Sequence, residues 1–251
     1  MRPWILACAL AAACTSARSE PTSSAAGSAA VPPTGPVVIE LFTSQGCSSC
    51  PPADRLMSRL VADGKLAGRP VIPLSFHVDY WNYLGWADPF STAEWTQRQR
   101  TYAAALSERG VYTPQAVVAG RAHAVGSRRD QLAKLIAETP TTTALPVETT
   151  WSGESVQVRV PAGAPAGAEL WLAVWQNGLR TAVKRGENRG EALRNDHVVR
   201  RLARLSDGAA TVRLDPSWKD LGGVVFAQRT ADRAVIAAGV LPAPAKRPSG
   251  K

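Results

Sequence analysis

The sequence predicts an α/β domain followed by an all-β, sandwich-like domain. Helix-like and strand-like patterns alternate between residues 37 and 140, whereas only short strand-like patterns occur between residues 146 and 241. A proline- and threonine-rich stretch, residues 140–143, separates the two regions. Alternating strands and helices are typical of α/β folds, and short strands divided by turns are typical of sandwiches, so each region receives its own class.

The composition is that of a globular protein. Of the 251 residues, 45% are hydrophobic and 20% are charged, which excludes wholesale disorder. The net charge of +9 favours contact with anions in general, but the basic residues form no long run, so we expect no nucleic-acid partner. Four cysteines are too few for a multi-disulfide scaffold.

Residues 1–17 predict an export signal. A positive start precedes an apolar run, from Trp4 to Cys14, that is too short to span a bilayer. Small residues at positions 15–17 fit an ordinary cleavage site, whereas Cys14 fits a lipoprotein box that would tether the chain to a membrane. A buried first helix is the remaining alternative. We therefore expect a periplasmic or secreted protein, either free or anchored through a lipidated Cys14.

Two segments outside the folded regions are predicted to be disordered. Residues 18–36 are rich in serine, alanine, threonine and proline, which bury little apolar surface, and we expect a tether there. Residues 242–251 are expected to form a disordered tail.

The α/β region, residues 37–140, opens with a buried strand and a cysteine motif. Val37–Phe42 is a short apolar run, which is typical of a strand covered on both faces. This strand is followed by a Cys-x-x-Cys motif, Cys47 to Cys50. Two prolines come directly after the motif, and proline favours the first positions of a helix. Apolar residues at helical spacing up to Gly64 predict that helix and its end.

The later elements of this region follow from the same patterns. A capping box at residues 91–94 precedes a helix, and a glycine turn at residue 120 divides two strands. The predicted elements are a second strand at Val71–Val78, the capped helix bearing Trp95, Tyr102 and Leu106, strands at Gln115–Ala119 and Ala122–Val125, and a final helix at Arg128–Thr139.

The β region, residues 146–241, predicts about six to eight antiparallel strands. Val156, Val158 and Val160 alternate with polar residues, and Leu170–Gln176 alternates aliphatic residues with tryptophan and alanine. Further strands are predicted at Ala210–Leu214, Gly223–Gln228 and Ala234–Val240.

The cysteine motif carries the candidate chemistry. A helix start favours a thiolate, because unpaired N–H groups and the helix dipole stabilise negative charge there. A thiolate attacks in disulfide exchange, and a second cysteine one turn away resolves the mixed disulfide. We predict Cys47 as the nucleophile and Cys50 as the buried resolving thiol, with protein thiols or disulfides as partners and no bound cofactor. A plain stapling disulfide is an alternative, but so short a loop adds little stability.

A metal site is a second alternative. His77 ends the second predicted strand, so we expect it at the same carboxyl edge of the sheet as the cysteines, where ligands collect in open α/β sheets. Cys47, Cys50 and His77 would then form a copper or zinc site, although structural zinc takes four ligands. In the plainer interpretation His77 makes a local hydrogen bond and orders the following loop.

Two resemblances sharpen these expectations. The element order with Cys-x-x-Cys after the first strand resembles the thioredoxin fold, in which a cis-proline faces the cysteines at the position of Thr113-Pro114. The chain from about residue 37 to 241 also resembles the bacterial exported family called domain of unknown function 1223. The segments that carry this second resemblance are Leu41–Asp54, His77–Ser91 and Gln97–Tyr102.

The resemblances imply a thioredoxin-like domain followed by a β-rich domain, with Thr113 and Pro114 shaping a docking groove. The Trp-Cys-Gly-Pro-Cys sequence of ordinary thioredoxins is absent, and serines separate the cysteines here, which leaves the direction of exchange open. We therefore expect an exported thiol–disulfide oxidoreductase. The alternative is a non-catalytic envelope protein that handles metal or binds a partner.

Two further features have both a structural and a functional interpretation. Aromatic residues crowd positions 80–90, where they would either wall a groove for an extended substrate or pin the loop to the domain. Residues 180–204 carry eight basic and three acidic residues, which would suit an anionic surface such as lipid headgroups. Within them, residues 186–190 resemble a phosphate-binding loop only superficially, and we predict a hairpin loop.

Overall fold

The structure is a computed structural model that describes Met1 and residues 34–244. The predicted export signal lies outside these residues except for Met1, as do Cys14 and most of the predicted tether and tail. Residues 34–244 belong to one compact unit. No helix within the described residues is long and apolar enough to cross a membrane.

Residues 34–244 contain fifteen strands and three α-helices. In chain order they are β1 Val37–Thr43, α1 Pro51–Asp63, β2 Lys65–Leu66, β3 Arg69–His77, α2 Ala93–Ala105, β4 Gln115–Val118, β5 Ala122–Val125, α3 Arg129–Glu138, β6 Thr143–Ala144, β7 Glu148–Trp151, β8 Ser155–Arg159, β9 Ala168–Gln176, β10 Leu179–Ala182, β11 Ala192–Asn195, β12 Val198–Arg204, β13 Ala209–Arg213, β14 Leu221–Arg229 and β15 Val235–Val240, with a 3-10 turn at Asn82–Leu84. The element order predicted for residues 37–140 is therefore correct except for the two-residue strand β2, which is not predicted.

A mixed ten-stranded sheet runs through both halves of the chain, in the order β5-β4-β1-β3-β12-β9-β14-β15-β6, with β2 paired to β3. Strands β1 and β3 are parallel and joined through α1, and β4 pairs antiparallel with β1. The halves meet where β12 pairs parallel with β3 at Val198 and Ser75. Pairing begins only there because Pro73, on the same edge of β3, has no N–H to donate.

The prediction of a thioredoxin-like α/β domain followed by a separate all-β domain is therefore wrong. The described chain is mostly β, with three helices on one large mixed sheet. Strands of the second half extend the sheet of the first half and share its core, because Phe42 of β1, Trp175 of β9 and Phe226 of β14 belong to one buried cluster. A separate domain would need a core of its own, and this one is common to both halves.

Helix α2 lies across the shared core. Side chains of β1 alternate between the two faces of the sheet, so Leu41 and Thr43 face α1 while Glu40 and Phe42 face α2. Arg98 of α2 donates to both carboxylate oxygens of Glu40, at 2.5 and 2.8 Å. Its guanidinium also lies over four aromatic rings from both halves, those of Phe76, Tyr102, Trp171 and Phe226.

A second, smaller core accounts for the predicted sandwich character. The three-stranded sheet β13-β8-β7 packs Val156 and Val158 against Leu172 and Val174 of β9. The other face of β9 carries Trp175 into the shared core, as the predicted alternation requires. The two layers exist, but one of them is the continuation of the large sheet.

We predict that Glu40→Gln destabilises the protein by about 3–5 kcal/mol, because it leaves the charge of Arg98 buried without a partner. The control is Glu138→Gln, which breaks an exposed pair with Lys134 and should cost less than about 1 kcal/mol. Urea unfolding of both variants gives the two free energies. Equal and small losses would show that the buried pair does not hold α2 to the sheet.

Candidate functional site

The two cysteines lie between β1 and α1, at the carboxyl edge shared by β1 and β3. Cys47 and Cys50 are at disulfide distance, with their Cα atoms 5.5 Å apart. Cys47 is 1% exposed and Cys50 0%, whereas Ser48 and Ser49 between them are exposed. The prediction of a buried Cys50 is correct, but Cys47 is covered as well.

The backbone N–H groups expected to stabilise a thiolate are largely occupied. Pro51 and Pro52 at the start of α1 have none to offer. The N–H of Cys50 donates to the carbonyl of Cys47 at 3.2 Å, and that of Ser48 donates to Glu187 at 3.0 Å. The start of α1 therefore offers a Cys47 thiolate fewer donors than the sequence suggested.

Hydroxyl groups contact the Cys47 sulfur instead. Thr113 Oγ1 donates to Cys47 Sγ at 3.2 Å, and Ser49 Oγ lies 3.3 Å from the same sulfur. The Thr113–Pro114 bond is cis, as predicted, and the loop that carries it lies beside the cysteines. Thr113 is thus brought to the site, and Pro114 follows it at the start of β4.

Trp81 fixes the direction of the Thr113 hydroxyl. Its indole Nε1 donates to Thr113 Oγ1 at 2.8 Å. Because an indole only donates, the threonine oxygen accepts this bond and its own proton remains free for the sulfur of Cys47. Trp81 thereby serves the site directly, a role that the crowding of aromatic residues did not reveal. Tyr83 of the same loop is 78% exposed and stands out into solvent.

His77 and Asp88 form a buried ion pair below the cysteine loop. Nδ1 of His77 lies 2.7 Å from Oδ2 of Asp88, which also accepts from the N–H of Gln45. Burial is the largest single influence and opposes both charges, but the attraction and hydrogen bond within the pair, together with the neighbouring contacts, exceed it, so the pKa of His77 is raised and that of Asp88 is lowered. The local role predicted for His77 is therefore correct, because this pair orders the loop through Phe90, whose N–H also donates to Asp88.

The geometry gives less support to the predicted metal site. Nε2 of His77 is buried and has no hydrogen-bond partner, so a donor nitrogen is free at this edge. Among the described residues, however, no group of three or more His, Cys, Asp or Glu side chains is arranged to hold a metal ion.

Asp54 is a buried acid that the sequence analysis did not single out. It lies one helical turn after Cys50, is 5% exposed and accepts a hydrogen bond from Thr43 Oγ1 at 2.8 Å. Burial raises its pKa to about 6, and the neighbouring His77 and Thr43 only partly offset that rise. An acidic residue four positions after Cys50 was the available signal, because the two positions share a helix face.

The hairpin β10–β11 of the second half covers the cysteine loop. Its loop is the predicted hairpin segment, residues 186–190, and that prediction is correct. Asn188 Nδ2 donates to the carbonyls of Gln45 and Cys47, each at 2.9 Å, and Glu187 accepts from the N–H of Ser48. Gln45, Cys47 and Ser48 of the cysteine loop are thus held by two residues of the hairpin whose role no local pattern indicated.

Gln45 joins the same hairpin to the site through hydrogen bonds of its side-chain amide. This side chain is fully buried, and its Nε2 donates to Thr181 Oγ1 at 3.0 Å and to Asn195 Oδ1 at 3.2 Å. Its Oε1 accepts from the indole of Trp86 at 3.3 Å. Both ends of the amide are therefore satisfied, as a buried amide requires.

We predict that Asp54→Asn stabilises the protein at about pH 7, by up to about 3 kcal/mol for a pKa displaced from 3.8 to about 6. The folded state binds more protons than the unfolded state between these two values, so the wild-type protein loses stability as pH rises through them. The neutral amide lacks this loss and can still accept from Thr43. Urea unfolding should show a gain that shrinks towards about pH 4, where Asp54 is protonated. A loss of stability at about pH 7 would contradict the raised pKa.

The comparisons with known proteins confirm the resemblance to domain of unknown function 1223, and they do not confirm the resemblance to the thioredoxin fold. Residues 38–228 match the family model described as protein of unknown function, DUF1223. The X-ray crystal structure of protein AGR_C_4864 from Agrobacterium tumefaciens is 32% identical, covers 86% of this chain and 97% of its own, and gives a TM-score of 0.63. HBP35 of Porphyromonas gingivalis, at 16% identity, covers 87% of this chain and 81% of its own with a TM-score of 0.54, a likeness of fold alone.

No curated protein matches the chain. The family model covers most of the sequence, and the Agrobacterium protein is similar over nearly its whole length. The chain therefore belongs to the family described as protein of unknown function, DUF1223.

Proposed function

We propose that the protein is a thiol–disulfide oxidoreductase that uses Cys47 and Cys50 on protein thiols or disulfides. One observation carries the proposal: the sulfur of Cys47, in a cysteine pair at disulfide distance, accepts from the hydroxyl of Thr113, whose oxygen in turn accepts from the indole of Trp81. A hydrogen bond to the charged form of a group favours that form, so this donor supports a Cys47 thiolate.

The exchange balances as two displacements. The Cys47 thiolate attacks one sulfur of a substrate disulfide, that S–S bond breaks, and a mixed disulfide forms while the first substrate thiolate leaves. The Cys50 thiolate then attacks the Cys47 sulfur and releases the second substrate thiolate. The substrate is reduced to two thiols and the pair is oxidised to a disulfide. The reverse sequence oxidises a substrate dithiol and reduces the pair.

Asp54 suits the proton transfer that the second displacement needs. Cys50 is fully buried and must lose its proton before it attacks. Asp54 lies one turn away on the same helix face, and its pKa of about 6 lets it accept a proton near neutral pH. We assign it the role of proton acceptor for Cys50.

A purely structural disulfide explains this site less well. Closing so short a loop adds little stability. The buried carboxyl of Asp54 opposes folding through desolvation, and a staple has no use for it. Perturbed groups packed beside a cysteine pair are typical of reactive sites.

The rim of the site suits a polypeptide substrate. Ser48 and Ser49 are exposed beside the covered sulfurs, and Tyr83 presents an aromatic ring on the neighbouring loop. We propose that Thr113 and Pro114 shape the groove between them. We also propose that the protein acts outside the cytosol, where disulfides persist, in keeping with the predicted export signal and with Cys14 as an alternative membrane anchor.

We predict that Cys50→Ser accumulates a mixed disulfide through Cys47 when the reduced protein meets oxidised glutathione or a disulfide-bonded protein, because the resolving step is lost. Cys47→Ser, the matched control, should trap neither. Non-reducing electrophoresis and intact mass identify the adducts.

Metal content of the same samples tests the rival function. Stoichiometric copper or zinc that falls in both cysteine variants and in His77→Ala, with no adduct in Cys50→Ser, would overturn the oxidoreductase proposal. It would favour the metal-handling protein instead, since Nε2 of His77 is free to bind.

A further inference from the structure

Glu187 is the charged side chain of the hairpin loop that contacts the cysteine loop in the described structure. Its carboxylate accepts from the N–H of Ser48, the residue directly after Cys47, at 3.0 Å. The cations of the same loop, Lys184, Arg185 and Arg189, are exposed and form none of the ion pairs found in the described chain. The side chain that contacts the cysteine loop is therefore negatively charged, although the hairpin as a whole is basic.

The position of this contact gives the charge its effect. With Pro51 and Pro52 in the first turn of α1, few N–H groups are available near the Cys47 sulfur. Glu187 takes one of them and adds a negative charge where a thiolate would form. Like charges close together each disfavour the charged form of the other.

Glu187 is ionised at neutral pH. It is an exposed side chain, and hydrogen bonds from the hydroxyl and from the N–H of Ser48 lower its pKa. The buried ionisable groups at this edge are Asp54 on α1, His77 at the end of β3 and Asp88 in the following loop, and the exposed cations Lys184, Arg185 and Arg189 share the hairpin loop with Glu187. All of these groups remain in place when Glu187 is changed, so a change at Glu187 removes one negative charge and leaves the others as they were.

We infer that Glu187, supplied by the second half of the chain, restrains the reactivity of Cys47 by holding a negative charge against the backbone beside it. The inference rests on the proposed function, because it takes Cys47 as the attacking thiol. Glu187 acts through Ser48 and through its electric field, so it is a positioning residue that does not touch the substrate. Thr113 and Glu187 then act in opposite directions on the same sulfur.

Glu187→Gln tests the charge alone, because a glutamine oxygen can still accept from Ser48. The change is made in the Cys50→Ser background, so that Cys47 is the thiol measured, and the neutral reagent iodoacetamide reports its reactivity. At about pH 7 and about 10 mM salt we expect Glu187→Gln to react roughly twofold faster, since a higher thiolate fraction is partly offset by weaker nucleophilicity.

Two further conditions separate charge from simple uncovering of the sulfur. The ratio of the iodoacetamide rate of Glu187→Gln to that of its parent should fall towards one at about 1 M salt, where surface charges are screened. It should reach one or less at about pH 10, where Cys47 is ionised in both proteins. Uncovering would keep the ratio high under both conditions, and that result would overturn the inference.

Glu191→Gln is the matched control, because Glu191 is an exposed acid of the same loop with no side-chain hydrogen bond or ion pair in the described structure. It should leave the rate unchanged, and an equal rise there would also overturn the inference. Exchange with oxidised glutathione is measured on the same samples. If Cys47 exchanges and Glu187→Gln has no effect, the inference fails alone. If the charge effect is present and no exchange occurs, the proposed function fails alone.

Discussion

A buried ion pair decides how the rest of this chain is arranged. Glu40 lies in the middle of β1 and Arg98 in the middle of α2, and neither charge would be tolerated in the core without the other. Tyr102 also donates to Glu40 and accepts from Gln228 of β14, so the network reaches the second half. Helix α2 is consequently held in a core that both halves build, which is why the chain does not divide into an α/β domain and a β domain.

The shared sheet also explains how the second half comes to complete the cysteine site. Strand β12 pairs with β3, and the hairpin β10–β11 directly precedes β12 in the chain. The hairpin is therefore delivered to the carboxyl edge of β1 and β3, where the cysteine loop lies. Asn188 and Glu187 reach the cysteines because of this topology, and Thr113 reaches them from the other side through the start of β4.

Local patterns predicted the elements well and their assembly poorly. The order of strands and helices in the first half and the paired cysteines followed from local sequence, whereas the cis Thr113–Pro114 bond beside them was implied by the resemblance to the thioredoxin fold. Strand β12, which joins the halves, has the sequence Val-Val-Arg-Arg-Leu-Ala-Arg, whose lack of clean alternation indicates a basic stretch and no strand. Trp81, Asp54 and Asn188 acquire their roles from contacts over long sequence separations, which no single-sequence period encodes.

The central claim is that the Cys47–Cys50 pair exchanges with other thiols and disulfides. Its equilibrium reduction potential, measured on the intact protein in glutathione buffers, tests this most directly. We predict a two-electron transition within the range of exchanging pairs, about −270 to −120 mV. A potential below about −300 mV, where the pair resists glutathione, is typical of structural disulfides and would contradict the account.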